Sequence, residues 1–183
     1  MKKRNIIITL TIIIVLLLTT LVKINASDYK VLNQGRTPTC LPSAVNTYID
    51  IVGEPCDLDP YTIYREFGGP QSPHKLLDYY IEKGVIVSWK YIPRSEIEEQ
   101  LKKSPVMVVI LFNRSDWWDG IIEGSETHKG KHAAVLISKG SDYYLGVNSW
   151  GVNWGFDGHF RLYDINVVNV AYVLELPIPQ IYR

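Results

Sequence analysis

Read for its pattern of apolar and polar positions, the chain changes texture three times. Residues Ile6 to Val22 form an uncharged run of 17 residues, mostly Ile, Leu, Val and Thr, closed by Lys23. Beyond it, Ala44, Val45, Tyr48, Ile49 and Val52 recur at the three- and four-residue spacing of a helix with one buried face, which predicts a helix over Ser43 to Val52 with Cys40 just before it. A second helical pattern runs from Leu76 to Ile81 and stops at Gly84. A third, shorter one runs from Glu96 to Leu101, with Ser95 as its N-cap. From Val106 onward the pattern becomes that of strands: Val106 to Phe112, Ala133 to Ile137, Tyr143 to Asn148, Gly158 to Leu162 and Val170 to Glu175 are short β-branched or aromatic runs between turn residues. Helices first and strands later predict an α+β fold, a helical N-terminal half packed on an antiparallel β half, rather than a parallel α/β sheet.

The first run is directed to a membrane. Lys2, Lys3 and Arg4 precede it, and at about 1.5 Å rise per residue it spans about 25 Å against a hydrocarbon core of about 30 Å. Ile24-Asn25-Ala26 offers a small residue before a cut ahead of Ser27, whereas the run exceeds the usual hydrophobic region of a signal peptide. Residues 1–26 are therefore either a signal peptide or a single membrane anchor. Both readings keep the basic cluster in the cytoplasm and send residues 27–183 across, as a secreted or single-pass membrane protein with its domain on the non-cytoplasmic side. No repeat and no linker divides residues 27–183, which predicts one domain.

Composition narrows the functional classes. The chain has 19 basic and 19 acidic residues; the four bases in residues 1–26 leave 15 against 19 for the rest, a net −4 that argues against a nucleic-acid partner. Two cysteines among 183 residues are too few for a disulfide-stapled scaffold, and finger-like histidine spacing is missing. His128 and His132 stand four apart, but Gly130 between them and the β run after them argue against a helical metal pair, so no metal and no cofactor are implied. Asn113-Arg114-Ser115 is a glycosylation sequon whose use depends on the host.

Four polar residues at the edges of predicted elements form a candidate site: Gln34, Cys40, His132 and Asn148. A cysteine at a helix N-terminus gains from unpaired backbone N–H groups and the positive end of the dipole, and Pro42 in the first turn suits that geometry. An imidazole can take the thiol proton and return it to a leaving amine if a third group orients the ring, as an Asn carbonyl can. An amide such as that of Gln34, with the Cys40 backbone N–H, can hold an oxyanion. This set predicts a low-pKa nucleophile at Cys40 and a small core hydrophobe at Cys56.

The same residues carry a resemblance. Gln34-Gly35-Arg36-Thr37-Pro38-Thr39-Cys40, His132-Ala133-Ala134-Val135, and Asn148-Ser149-Trp150-Gly151 followed by Trp154-Gly155-Phe156-Asp157-Gly158-His159-Phe160 resemble the motifs of the papain-like cysteine proteases, the papain and cathepsin family. Weaker likenesses lie at Lys103-Ser104-Pro105-Val106 and Asp119-Gly120-Ile121. The resemblance implies a papain-like fold, a cysteine-type peptidase acting on a peptide or protein substrate, a monomer, substrate docking at Gly68 and Gly69, and a Trp150 that shields the histidine–asparagine bond. It also implies departures. Leu41-Pro42 replaces an aromatic and an alanine, the 92 residues from Cys40 to His132 are fewer than the family's usual separation, and the 13 residues from Ser27 to Thr39 leave no room for a propeptide. A catalytically silent, membrane-tethered binding module on the same fold, and an acyl transferase or amidase with a cysteine–histidine pair, remain open alternatives.

Overall fold

The computed structural model describes residues 29–53, 56–69, 72–112, 119–124 and 130–177. The hydrophobic run at residues 6–22, the sequon and His128 lie outside them, and no helix among the described residues is long and apolar enough to cross a membrane. Three helices come first: α1 (Cys40–Val52), α2 (Pro60–Glu66) and α3 (Pro73–Glu82). Then follow β1 (Ser88–Ile92), a 3₁₀ turn at Arg94–Glu96, α4 (Ile97–Leu101), β2 (Val106–Phe112), β3 (Ile121–Ile122), β4 (Gly130–Lys139), β5 (Tyr144–Val147), β6 (His159–Leu162), a second 3₁₀ turn at Ile165–Val167 and β7 (Val168–Glu175). The strands make one sheet in the order β1-β7-β2-β4-β5-β6-β3, antiparallel throughout except for the two-residue β3, which runs parallel to β6.

The α+β prediction therefore matches the fold, with corrections in detail. The helical half also contributes a strand: β1 pairs along the sheet edge with β7, from Ser88 opposite Glu175 to Ile92 opposite Ala171. Helix α2 was not predicted; seven residues hold little periodicity, and its start is set instead by the Asp59 carboxylate accepting from Thr62 N at 2.8 Å, with Pro60 at the first helical position. Ser95 caps nothing. It lies inside the 3₁₀ turn, and Glu96 takes the N-cap position of α4 without a side-chain bond.

Helix α1 is the spine of the helical half. It starts at Cys40 itself rather than after it, and it ends where Gly53, at φ 96, closes the last turn by donating to the Asp50 and Ile49 carbonyls. Pro42 through Ile49 are all buried, because the sheet packs on one side of the helix and α2 and α3 on the other. Burying a polar side chain costs free energy unless its hydrogen bonds are made, so Asn46 has to be satisfied where it stands. Its amide donates to the Leu58 carbonyl at 2.5 Å, and its Oδ1 accepts from the Tyr80 hydroxyl of α3 at 2.5 Å and from the Cys56 thiol at 3.3 Å. One side chain thus joins α1, α3 and the loop before α2. Cys56 is half-buried and hydrogen-bonded, more than the small core hydrophobe expected of it, and both cysteines are unbridged.

The continuous apolar run of β2 is explained by its position. It lies between β4 and β7 with both faces covered. Met107 faces α1 with Ala133 and Val135 of β4, while Val106, Val108 and Ile110 face the second core, with Ile97, Phe160 and Leu162. The sheet therefore has the helices on one side and a smaller apolar layer on the other, and the candidate site residues come from both.

Candidate active site

The first turn of α1 meets β4 at the peptide that joins His132 to Ala133. Ala133 is the β4 residue turned toward α1, and its single methyl lets the helix end approach the strand backbone. There the backbone N–H groups of Ala133, Leu41 and Cys40 lie near the Cys40 sulfur and pull its pKa down, two of them donors of the helix's first turn. These donors favour a thiolate, but burial is the larger influence and pushes the Cys40 thiol above its ordinary range. Against the low-pKa thiol expected from the helix start and the His132 pairing together, the helix start is outweighed by burial, so ionisation here needs a partner that takes the proton.

His132, on the strand that adjoins the start of α1, is the candidate for that partner. It is 4% exposed, on the β4 face shared by Ala134 and Leu136, and its Nε2 lies 2.7 Å from the Asn148 Oδ1. The roles in this contact follow from the next residue. The Ser149 backbone N–H donates to the same oxygen at 2.7 Å, so that atom is an acceptor and Nε2 must carry the proton. Nδ1 is then the unprotonated ring nitrogen, the one with the chemistry of a base. Burial drives the His132 pKa down to about 4, against the upward pull of the Asn148 bond. Trp150 lies across the ring, centroid to centroid at 4.8 Å and tilted 46°, and Trp154 meets Trp150 edge-on at 5.0 Å. The two indoles cover the imidazole–amide contact with apolar surface. Orienting Oδ1 in this way costs Asn148 something: its Nδ2 is buried without a hydrogen-bond partner among the described residues.

Gln34 is bound into the same loop. Its backbone N–H donates to the Ser149 carbonyl at 2.8 Å, its Oε1 accepts from the Ser149 hydroxyl at 2.5 Å, and its Nε2 donates to the Thr37 carbonyl at 2.9 Å. The Ser149 hydroxyl thereby fixes which end of the amide is oxygen. One Nε2 proton goes to Thr37, and the second is the one that can serve a ligand. Sequence reasoning assigned Ser149 no role, although it stood inside the quoted motif. The Ala133 amide left no signal to find, since a backbone N–H has no residue-type signature.

The chain as a whole can now be set beside known proteins. The model of the papain family cysteine proteases matches residues 43–175, a stretch that holds His132 and Asn148 and begins three residues after Cys40. The chain belongs to the papain family of cysteine proteases. Mexicain of Jacaratia mexicana is 31% identical over 86 residues, which are 44% of this chain and 40% of mexicain. The chain thus spans well under half the length of the curated relatives it matches. The bromelain protease of Ananas comosus, solved with the E64 inhibitor, superposes with a TM-score of 0.68 at 15% identity, covering 84% of this chain and 96% of that one. The Carica candamarcensis protease CMS1MS2, also with E-64, gives 0.67 at 19% identity over 84% and 96%. At these identities the two structures speak for the papain-like fold alone.

Gly68 and Gly69, expected from the papain-family resemblance to dock substrate, follow α2 with φ of 71° and 140°, values that L side chains rarely adopt. A Cβ on either would meet nothing within 4 Å, so the surface beside them is open.

Proposed function

We propose that this papain-family chain hydrolyses peptide bonds through a Cys40/His132 pair, with Asn148 orienting the imidazole and Gln34 stabilising the oxyanion. The observation that carries the reading is the His132 Nε2 to Asn148 Oδ1 bond at 2.7 Å, made by the residue next to Ala133, whose backbone N–H lies near the Cys40 sulfur. In the proposed cycle the Cys40 proton passes to His132 Nδ1 and the thiolate attacks the substrate carbonyl carbon. The oxyanion formed is held by the second Gln34 Nε2 proton and the Cys40 N–H. The intermediate collapses as His132 gives its proton to the leaving amine, which leaves a thioester on Cys40. His132 then takes a proton from water, the hydroxide displaces the sulfur, and acid product and thiol are released. The open surface at Gly68 and Gly69 supports an extended substrate backbone lying there. The bases at Lys2 to Arg4 support placement of the domain on the non-cytoplasmic side.

Burial disfavours each charge of the pair alone, so the ion pair forms only when the proton moves directly between the two groups and each new charge faces its opposite. A bell-shaped dependence of turnover on pH follows. The test is cleavage of a diverse peptide library by the full chain, together with its labelling by E64, the inhibitor carried by the two solved proteases above. Turnover that disappears in Cys40→Ala and in His132→Ala supports the proposal. Unaltered turnover in either variant, or none in the parent chain with every peptide, overturns it.

A further inference from the structure

The outer end of the sheet, where β6 and β3 lie, carries a strip of aromatic side chains around one arginine. Along β6, Phe160 and Leu162 fill the second core, which turns His159 and Arg161 to the other face, and Tyr163 continues that alternation beyond the strand. The Arg161 guanidinium lies between two rings, 4.7 Å from the centre of Phe156 and 5.0 Å from that of Tyr143. Tyr143 packs on Tyr163 at 5.8 Å. At the other end of the strip the Tyr29 hydroxyl donates to His159 Nε2 at 2.6 Å; His159 Nδ1, 3.0 Å from the Phe156 and Asp157 carbonyls, carries the ring proton. Phe156 and Tyr163 stay 40% and 38% exposed, and among the described residues no acceptor binds the Arg161 side-chain N–H groups.

Tyr29 is also the first described residue after the membrane-directed run. At about 3.3 to 3.6 Å per residue, the chain from Val22 to Tyr29 reaches at most about 25 Å. A domain of about 150 residues has a radius of gyration of about 15 Å and so a diameter near 38 Å. The tether is shorter than the domain it holds, and it ends on the aromatic strip. We propose that this strip is the face on which the domain rests against the bilayer that Ile6 to Val22 enters, the segment acting as a retained anchor. Tyrosine, phenylalanine and arginine suit that layer: their rings and stems bury in it while hydroxyl and guanidinium groups reach the headgroups. Asp142 and Asp157 adjoin in sequence Tyr143 and Phe156, the two rings beside the single arginine, so the contact is chiefly aromatic and gains little from anionic lipid.

The test places the photoreactive residue p-benzoylphenylalanine at Phe156, Tyr163 or Tyr91, one at a time, in the full chain reconstituted in phosphatidylcholine vesicles. Tyr91 is the control, 56% exposed on β1 at the opposite edge of the sheet. Lipid adducts several-fold more abundant at Phe156 and Tyr163 than at Tyr91, and little changed when half the lipid is phosphatidylserine, are expected. Equal yields at all three sites overturn the proposal, as does recovery of the chain cut after Ala26 and free of vesicles. The double substitution Phe156→Asp with Arg161→Glu should lower the yield at Tyr163 by a similar factor, and an undiminished yield also counts against the strip. None of these readouts uses turnover, so they stand or fall separately from the peptidase reading.

Discussion

Replacing Cys40 by serine separates the two halves of the proposed ion pair, since a hydroxyl does not ionise in the working range and His132 must then titrate alone. Burial holds its pKa at about 4, down from 6.5, with only the Asn148 bond opposing. Because the lowered group is a base, folding with a neutral His132 is fully favourable above the unfolded value of 6.5. That stability is lost as pH falls from 6.5 toward 4, where the unfolded chain binds the proton and the folded chain resists it. At pH 4 the loss amounts to about 3 kcal/mol. Chemical unfolding of Cys40→Ser at pH 7 and pH 4, compared with Cys40→Ser/His132→Gln, isolates this contribution from the carboxylates, which titrate in both. The imidazole C–H resonances of Cys40→Ser should move with a midpoint near 4. In the parent chain they should move at higher pH, because a thiolate facing Nδ1 stabilises the imidazolium. A midpoint near 6.5 in Cys40→Ser, or the same acid loss with and without His132, would refute the burial argument. Identical midpoints in parent and variant would refute the ion pair while leaving burial intact.

Further expectations can be checked by simpler means. Gln34→Ala should lower kcat by about 10² to 10³, or about 2.7 to 4 kcal/mol, with KM nearly unchanged, while alkylation of Cys40, which forms no oxyanion, is spared. Iodoacetamide near pH 6 should modify Cys40 much faster than Cys56, whose thiol is pushed up by burial and by the Asp57 and Asp50 carboxylates; equal slow labelling would count against the nucleophile. Asn46→Ala should destabilise the fold by about 1 to 3 kcal/mol, because it leaves the buried Tyr80 hydroxyl without its 2.5 Å acceptor; a denaturation midpoint within error of the parent's would show the network to be dispensable. A reporter fused after Arg183 should be active only outside the cytoplasm, and a cytoplasmic signal would refute the topology.

The parts of the fold legible in the sequence are those buried over several consecutive residues. Helix α1 shows apolar residues at helical spacing and the central strands show continuous apolar runs, because the sheet and helices cover them. β1 shows none: it is an edge strand of five residues with Trp89 half-buried, Lys90 and Tyr91 exposed and only Ile92 in the core, so its pattern carries no alternation. The candidate site could be named residue by residue from the sequence, since Gln34, Cys40, His132 and Asn148 each carry a side chain suited to the proposed chemistry. How strongly each group would be perturbed was not legible. That depends on the covering side chains: the helix start and the pairing with His132 suggested a low-pKa thiol, whereas burial pushes the thiol up.

That reversal bears on how such a site would work. An exposed helix-end cysteine can be ionised at rest by its backbone donors, whereas Cys40 and His132 are each driven toward the neutral form by the same exclusion of water. Trp150 and Trp154 help to exclude that water, so the shield that weakens each group alone also strengthens the attraction between them once the proton has moved. Opening the shield with Trp150→Ala should therefore act in opposite senses on the two measurements. The His132 midpoint in the Cys40→Ser background should rise from about 4 toward 6.5 as water returns, while turnover in the Cys40 chain falls because the ion pair is screened. If the midpoint rises and turnover is unchanged, the indoles are packing and nothing more. If both fall together, Trp150 supports the His132–Asn148 geometry instead of its dielectric, and the 2.7 Å bond is what the ring protects.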